Sequence, residues 1–386
     1  MTTPSVRPFV VGIIGGGQLA RMMYEASIGL GVRVALLAEG PDVSAAGVVH
    51  DVTVGDYTDP ATVRAFAARC DVVTFDHEHV PTGLLRDLEA AGVAVRPGPD
   101  ALVHAQDKVV MRERLSALGA PCPAYRVVSD AAALRDFGQA QGWPVIAKTS
   151  RGGYDGHGVW KVDGPDQAEV PFADLTDGVQ VLAEEYIDFA RELSALVVRS
   201  PSGQAVAYPV SESVQRHGVC VETTTPAPGL TDEQAVAAQQ LALQVAAELE
   251  VVGVLAVELM ERRDGTVVVN ELAMRPHNTG HWSIDGAHTS QFENHLRAVL
   301  DLPLGDPATR DPWTVMANVL GGSEDDLPST LLHCFARDRR LRVQLYGKQV
   351  RPGRKVGHVT AYGDDLDEVR RRARHAAGYL MGDHDA

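Results

Sequence analysis

The sequence predicts a multidomain protein of the α/β and α+β classes: a doubly wound α/β domain, a larger central domain and a small mixed α/β domain. Three observations carry this prediction. The chain has 386 residues, which is long for a single hydrophobic core. Strand and helix patterns alternate over the first hundred residues. Much later, two apolar, β-rich runs flank Asp264-Gly265, a dipeptide favoured in hairpin turns.

Composition and charge argue against several classes of partner. The content of 45% apolar and 22% charged residues is ordinary for a soluble globular protein. A net charge of −16 disfavours nucleic acid and acidic membrane surfaces, since both bind basic faces. The four cysteines are scattered without a CxxC pair, so we expect neither a zinc site nor a disulfide framework. With no signal-peptide pattern and no apolar run of membrane-spanning length, we expect a cytoplasmic protein.

The first predicted unit is a βαβ element. Residues 10–14 form a buried strand, a helix runs to about Leu30, and residues 32–37 form the next strand, which Glu39 closes. Between strand and helix, residues 15–20 match G-x-G-x-x-A, whose glycines bring backbone N–H groups close to a phosphate. Locally this fits a dinucleotide site, but such loops also bind other phosphates or only permit tight packing.

Further alternation completes this domain. Helices are predicted over 61–68 and 84–91, and strands over 71–75 and 93–95. Asp76, Glu78 and His79 follow a strand at the edge where open α/β sheets place ligands. On these residues alone, we favour an exposed polar loop.

The central segment places a glycine-rich loop after a strand that ends at Lys148. Helices are predicted over 107–118 and 130–141, and strands over 145–148 and 159–162. The loop between the two strands contains Gly152, Gly153, Gly156 and Gly158. It can close over a triphosphate that Lys148 reaches. A surface hairpin with a long turn is the alternative, and it leaves Tyr154 and Asp155 unexplained.

Strands over 181–185, 192–199 and 205–210 follow, with Ser202-Gly203 as a turn. Thr231 caps a helix that runs to about residue 250. Another helix is predicted over 292–300.

The late hairpin brings two carboxylates together. With a two-residue loop, Arg263 pairs with Thr266 and Glu258 pairs with Glu271. Like charges ~5 Å apart destabilise a sheet unless a cation such as Mg²⁺ neutralises them. The ideal register turns Asn270 away from Glu271, so both serve one site only if the strand bulges or twists. A solvated hairpin with aligned glutamates is the alternative.

Two later segments are rich in groups that bind anions. Residues 275–281, RPHNTGH, follow the hairpin directly. Residues 346–358 form a basic cluster in an otherwise acidic protein, which suggests a phosphate ligand or else a solvated loop.

Together these pieces resemble the ATP-grasp superfamily and, within it, the N5-carboxyaminoimidazole ribonucleotide synthetase family of purine synthesis. The motifs that carry the resemblance are GGGQLARM at 15–22, FDHEHVP at 75–81, QDK at 106–108, RGGYDGHG at 151–158, NELAMRPHNTGHWS at 270–283, TSQFENHLRAVLDLPLG at 289–305 and YGK…RPGRKVGH at 346–358. The resemblance implies an N-terminal domain over 1–107, an ATP-grasp domain over 108–300 with its lid at 150–158, and a C-terminal domain over 301–386.

The resemblance also implies a reaction. ATP, bicarbonate and 5-aminoimidazole ribonucleotide give ADP, phosphate and the N5-carboxylated ribonucleotide through carboxyphosphate. The expected cofactors are ATP and Mg²⁺, with two ions, and the expected assembly is a homodimer. The rivals are formate-dependent glycinamide ribonucleotide transformylase, another ATP-grasp ligase and, from a different class, an NAD(P)-dependent oxidoreductase based on residues 15–20.

Site residues follow from the same resemblance. For ATP they are Lys108, Lys148, Gly153, Gly156, Gly158, Glu184, Glu185, Ile187, Glu192, Gln215, Asn270 and Glu271, and the metal ligands are Glu258 and Glu271. For catalysis they are Tyr154, Asp155, Arg275, His277 and Asn278, where Asp155 orients the amine and handles its proton. For the ribonucleotide they are Gln18, Glu78, Lys348, Arg354 and Lys355. The chain departs from the family pattern at Lys108, His157 and Gln215, where Arg, Arg or Lys, and His are usual.

Overall fold

The computed structural model describes residues 7–152, 158–173, 175 and 178–383 of the chain. Over these residues the strands form three sheets. None of the described helices is long and apolar enough to cross a membrane. The four cysteines carry free thiols, as their scattered spacing predicts.

The first sheet is parallel, in the order β3-β2-β1-β4. Its elements are β1 (Val10–Ile14), α1 (Gln18–Leu30), β2 (Arg33–Ala38), β3 (Asp51–Val54), α2 (Pro60–Ala67), β4 (Val72–Phe75), α3 (Thr82–Ala90), α4 (Pro99–Gln106) and α5 (Lys108–Ala117). The predicted strand over 93–95 is wrong, because only Val95 forms a bridge, to Val73. Pro97 and Pro99 follow at once, and proline has no N–H to extend a ladder. The doubly wound pattern predicted for this segment is confirmed.

The glycine-rich loop before α1 binds the chain's own carboxylates. The Gly16 N–H donates to Glu39 Oε2 at 3.0 Å, and the Ala20 N–H donates to Asp76 Oδ1 at 3.0 Å. Asp76 Oδ2 also accepts from the Gly17 N–H, where an added Cβ would lie 2.2 Å from that oxygen. An internal anion therefore occupies the helix N-terminus at which a phosphate would bind. The dinucleotide interpretation of this loop is wrong, and so is the exposed loop expected around Asp76.

The second sheet is antiparallel, in the order β5-β8-β6-β7. Its elements are β5 (Tyr125–Val128), α6 (Ala131–Gln141), β6 (Val145–Thr149), β7 (Val159–Val162) and β8 (Val181–Glu185). All four strands have a buried face that packs with Phe137 of α6. This small sheet is the wall from which Lys148 and Glu184 project.

The third sheet has the order β14-β13-β9-β11-β12-β15-β17-β16, and β10 pairs with β9. Its strands are β9 (Phe189–Arg199), β10 (Ala205–Ala207), β11 (Ser211–Arg216), β12 (Val219–Thr225), β13 (Gly253–Arg262), β14 (Val267–Ala273), β15 (Trp313–Leu320), β16 (Arg342–Leu345) and β17 (Lys355–Gly363). The helices that follow or separate them are α7 (Asp232–Glu248), α8 (Ser283–Gly286), α9 (Gln291–Val299), α10 (Leu327–Arg337) and α11 (Leu366–Leu380).

The strand predicted over 205–210 ends at Ala207, and β11 and β12 had no prediction. Because β12 pairs with β15, the last segment continues the same sheet. The predicted domain limits stay a prediction.

A buried histidine joins the first and third sheets. His295 of α9 accepts from the Val254 N–H through Nδ1 at 3.1 Å, so its Nε2 carries the proton that it donates to Thr74 Oγ1 at 2.8 Å. Burial lowers the pKa of His295 to about 3, so the ring stays neutral. This side chain links β4 to β13, the two strands whose ends approach the cavity described below.

Substitution of Asp76 tests the loop arrangement. Asp76→Ala leaves the Gly17 and Ala20 N–H groups without their acceptor, so we expect a loss of about 1–3 kcal/mol in unfolding free energy by urea titration. Asp42→Ala, in the exposed loop after β2, is the matched control and should change little. Equal stability of the two variants would contradict this account of the loop.

Candidate active site

A cavity of about 580 Å³ is lined by strands of the second and third sheets, by the start of α1 and by the segment after β4. It brings together most of the side chains predicted from the sequence. Those lining it are Gln18, Glu78, Lys108, Lys148, Glu184, Glu185, Ile187, Glu192, Gln215, Glu258, Asn270, Glu271, Arg275, His277, Asn278 and Lys355. Lys348 contacts Gln18, whereas Gly158, Lys348 and Arg354 are not among the lining residues. Glu78, expected in an exposed loop from the residues alone, is half-buried in the wall.

The turn between β13 and β14 differs from the prediction. Arg262, rather than Arg263, pairs with Thr266: the Arg262 N–H donates to the Thr266 carbonyl at 2.7 Å. The Gly265 N–H donates back to the Arg262 carbonyl at 2.9 Å, and Gly265 has φ +84°. The loop therefore has three residues and the predicted two-residue loop is wrong. A three-residue loop with glycine in the left-handed region is itself a common hairpin connection.

A bulge then restores the predicted pairing of the carboxylates. Leu259 pairs with Val269, but the next residue, Glu258, pairs with Glu271, which leaves Asn270 as the extra residue of β14. Without this bulge, the three-residue loop would set Glu258 opposite Asn270 and turn Glu271 to the other face. The bulge brings Asn270 and Glu271 to the same cavity, as the sequence analysis required.

The two carboxylates have basic partners. Glu258 Oε1 lies 3.1 Å from His277 Nε2, and Glu271 Oε1 lies 3.6 Å from Lys108 Nζ. Burial opposes the charge of Glu258, but His277, Arg275 and Lys148 together lower its pKa below the ordinary value. Both strands thus present anionic oxygen ligands.

These oxygens fit Mg²⁺. No group of three His, Cys, Asp or Glu side chains forms a complete metal cage in the described part of the chain. Mg²⁺ needs no such cage, because it usually binds one or two carboxylates and keeps water and phosphate oxygens. Glu258 and Glu271, with the Asn270 amide oxygen nearby, meet that requirement.

A chain of charges crosses the cavity beside the hairpin. Lys148 Nζ lies 3.0 Å from Asn270 Oδ1 and 2.9 Å from Glu184 Oε2. Arg112 Nε donates to Glu184 Oε1 at 2.8 Å. Burial would raise the pKa of Glu184, but Lys148 and Arg112 lower it. The sequence analysis missed Arg112. Its position four residues after Lys108 places both on one helix face, which is the signal that could have identified it.

The region next to Ile187 combines apolar surface with carboxylates. The apolar lining residues are Ile146, Val159, Phe189, Met260 and Leu272. Glu185 accepts from Arg262 Nη1 at 2.9 Å and from the Ala124 N–H at 3.2 Å. Burial and the charge of Glu258 raise the pKa of Glu192 to about 7. Apolar lining residues together with polar groups are suited to a nucleobase and its sugar.

The RPHNTGH segment presents cationic and unpaired groups to the cavity. Arg275 Nε donates to Glu78 Oε2 at 2.7 Å, and although burial disfavours its charge, Glu78 raises the pKa of Arg275. His277 Nδ1 lies 2.8 Å from Thr279 Oγ1, which fixes the ring toward Glu258. Both amide atoms of Asn278 are buried without a hydrogen-bond partner among the described residues. Such groups are available to a small oxyanion.

Gln291 supports this segment and was also missed. It is fully buried; its Oε1 accepts from the His277 N–H at 2.8 Å, and its Nε2 donates to the His277 carbonyl at 2.7 Å. The contact spans fourteen residues and a chain reversal, so no local pattern could indicate it.

Basic side chains lie at the cavity and beside its lining residue Gln18. Lys348 Nζ donates to Gln18 Oε1, and Lys355 lines the wall. Burial lowers the pKa of Lys348, and the charges of Arg354 and Lys355 lower it further against the effect of Asp76. The exposed Arg354 donates from Nη1 to the Gln349 carbonyl at 3.2 Å.

The glycine-rich segment is anchored at the start of α5. Arg151 Nε donates to Asp107 Oδ2 at 2.7 Å, and the Lys108 N–H donates to the Ser150 carbonyl at 2.8 Å. Gly158 has φ +68°, which favours glycine. The predicted site residues Gly153, Tyr154, Asp155 and Gly156, and the departure at His157, lie outside the described residues.

Three family models match consecutive parts of the chain. Residues 9–106 match the ribonucleotide synthetase preATP-grasp domain, and residues 113–292 match the ATP-grasp domain. Residues 314–372 match the phosphoribosylaminoimidazole carboxylase C-terminal domain.

Individual relatives match nearly the whole chain. It is 54% identical to the N5-carboxyaminoimidazole ribonucleotide synthase of Mycobacterium tuberculosis, covering 98% of this chain and 90% of the relative. The synthetase structure from Thermus thermophilus has a TM-score of 0.86 at 34% identity, covering 96% and 98% of the two chains. The Aspergillus clavatus enzyme in complex with ADP and 5-aminoimidazole ribonucleotide has a TM-score of 0.88 at 30% identity, covering 97% and 98%.

The raised pKa of Glu192 predicts a pH-dependent stability. The folded chain binds a proton at Glu192 up to pH of about 7, whereas the unfolded chain releases it near the ordinary value of 4.5. Rising pH across this window therefore lowers the unfolding free energy. In EDTA without nucleotide, the unfolding free energy of Glu192→Gln should exceed that of the wild type by on the order of 1–3 kcal/mol at pH 8. This difference should disappear at pH 5. Glu113→Gln, on the exposed face of α5, is the control. A stability difference between variant and wild type that does not change with pH would contradict the raised pKa of Glu192.

Proposed function

The chain belongs to the N5-carboxyaminoimidazole ribonucleotide synthase family of ATP-grasp ligases, and we propose how its residues divide the reaction. The enzyme carboxylates 5-aminoimidazole ribonucleotide with bicarbonate and ATP, giving ADP, phosphate and the N5-carboxylated product. The observation that supports the assignment of roles is the bulged hairpin. It directs Glu258, Asn270 and Glu271 into a cavity shared with Lys148 and Arg275.

Phosphoryl transfer from ATP to a bicarbonate oxygen is the first step. Glu258 and Glu271, with Asn270, would hold Mg²⁺, two ions by the family expectation, and bound Mg²⁺ neutralises phosphate charge. Lys108 and Lys148 contact the phosphates. The remaining proposed nucleotide contacts are Gly153, Gly156, Gly158, Glu184, Glu185, Ile187, Glu192 and Gln215.

Bicarbonate and then carboxyphosphate lie against Arg275, His277 and Asn278. The Arg275 guanidinium supplies a positive charge, and the Asn278 amide, which has no hydrogen-bond partner among the described residues, supplies a donor and an acceptor. Preorganised donors of this kind stabilise developing negative charge without reorganising.

The ribonucleotide binds beside the basic side chains of the cavity. Gln18, Glu78, Lys348, Arg354 and Lys355 are the proposed contacts, and Lys348 already lies against Gln18. Tyr154 and Asp155 are further proposed contacts, by the family resemblance. Asp155 orients the exocyclic amine, which attacks the carboxyphosphate carbon; the phosphate leaves, and Asp155 receives the proton of the amine.

A homodimer and a cytoplasmic location are further proposals, and both rest on the family resemblance. Light scattering of the purified chain tests whether it is a homodimer.

Phosphate release tests the substrate. With ATP, bicarbonate and Mg²⁺, we expect release to depend strongly on 5-aminoimidazole ribonucleotide, because the amine consumes the activated carboxyl. Activity only with glycinamide ribonucleotide and formate would reassign the chain to the transformylase. Stimulation by neither would leave an ATP-grasp ligase with another acceptor.

Removal of a metal ligand tests the hairpin. Glu271→Ala should lower ATP turnover by at least about 100-fold, because one of the two anionic ligands is lost. Arg263→Ala at the hairpin tip, whose Asp188 contact is exposed, should retain activity. Thermal unfolding should show both variants folded. Near-normal turnover by a folded Glu271→Ala enzyme would contradict the metal assignment.

A further inference from the structure

Arg112 is a buried cation with no role in the steps above. Its side chain is 0% exposed. Nε donates to Glu184 Oε1 at 2.8 Å, Nη1 donates to the Val269 carbonyl at 2.7 Å, and Nη2 donates to the Asn270 carbonyl at 3.0 Å. One guanidinium therefore contacts both the small sheet and the hairpin.

One of the two carbonyls belongs to the bulge residue and the other to the residue before it. Asn270 is the residue of β14 without a partner in the ladder, and Val269 directly precedes it. β14 is the edge strand of its sheet, and the bulge interrupts its ladder locally. Buried carbonyls there need partners from outside the sheet, because a buried carbonyl without one is costly. The planar fork of an arginine donates in parallel to two neighbouring acceptors, which a lysine ammonium does not match.

We propose that Arg112 is a positioning residue that holds the bulge and thereby directs Asn270 and Glu271 toward the metal. This inference rests on the metal site of the proposed function. Arg112 acts through the backbone of β14 and touches no reacting atom. Its bond to Glu184 holds the guanidinium beside Lys148. This fixes the distance between the metal ligands of the hairpin and the nucleotide-binding side chains of the small sheet.

The surrounding helix supports this role. α5 also carries Lys108, which lies 3.6 Å from Glu271, and its N-terminal Asp107 binds Arg151 of the glycine-rich segment. Arg112 thus connects α5 to the hairpin next to the cavity. A purely structural role, in which Arg112 only neutralises Glu184, is the competing explanation.

Arg112→Lys separates the two explanations. It retains a cation beside Glu184 but loses the fork that reaches both bulge carbonyls. We expect ADP to bind with close to wild-type affinity in EDTA. Mn²⁺ should bind the enzyme–ADP complex about 10–100-fold more weakly by calorimetry, which is the loss typical when a support of a metal ligand is removed. The turnover number should fall with it, while the KM for ATP changes less.

Two further variants complete the experiment. Arg114→Lys is the matched control, since Arg114 lies on the same helix and contacts Glu248 near the surface. Arg112→Gln is the second variant if the lysine variant does not fold, because its amide reaches at most one carbonyl. It should show the same loss of Mn²⁺ affinity.

Normal Mn²⁺ affinity in a folded Arg112 variant would overturn the proposal. An equal loss of ADP and Mn²⁺ affinity would also overturn it, because that result assigns Arg112 to Glu184 or to folding. Failure of the proposed function gives a different result. In that case the wild-type chain itself shows no phosphate release that depends on 5-aminoimidazole ribonucleotide, and the ADP and Mn²⁺ affinities of the variants do not alter that conclusion.

Discussion

The site depends on one irregularity, the bulge at Asn270. In a regular strand, successive side chains alternate between faces, so Asn270 and Glu271 would point in opposite directions. The three-residue loop shifts the pairing by one residue, and the bulge shifts it back. The two departures together keep Glu258 opposite Glu271, and the bulge brings Asn270 to the same cavity as Glu271. The Arg112 guanidinium donates to the Val269 and Asn270 carbonyls at this point of the strand.

Charge pairing in the cavity follows from the same geometry. The acidic side chains that line it have basic neighbours, and these pairs are Glu258 with His277, Glu271 with Lys108, Glu184 with Lys148 and Glu78 with Arg275. Buried charges are tolerated when they are paired and hydrogen-bonded. Glu192 and Asp76 are exceptions: burial raises the pKa of both, and the charge of Glu258 adds to the shift of Glu192.

Local patterns predicted local structure well. The capping box of Thr231 and Gln234 at α7 and the strand–helix opening of the chain are confirmed. The pairing of Glu258 with Glu271 was also predicted correctly. The predicted loop is one residue too short, but the bulge shifts the register back by one residue. What the sequence could not reveal depends on distant contacts. Asp76 occupies the glycine loop from 59 residues away, and Arg112 reaches the bulge over 158 residues. β11 and β12 are polar strands recognisable only through their neighbours in the sheet.

A crystal structure of the chain with Mg²⁺ and a non-hydrolysable ATP analogue tests the central claim most directly. The account predicts that carboxylate oxygens of both Glu258 and Glu271 coordinate Mg²⁺ at about 2.1 Å, with the bulge at Asn270 retained and the triphosphate beside Lys148. Metal bound by other side chains, or a hairpin whose register changes when the nucleotide binds, would contradict it.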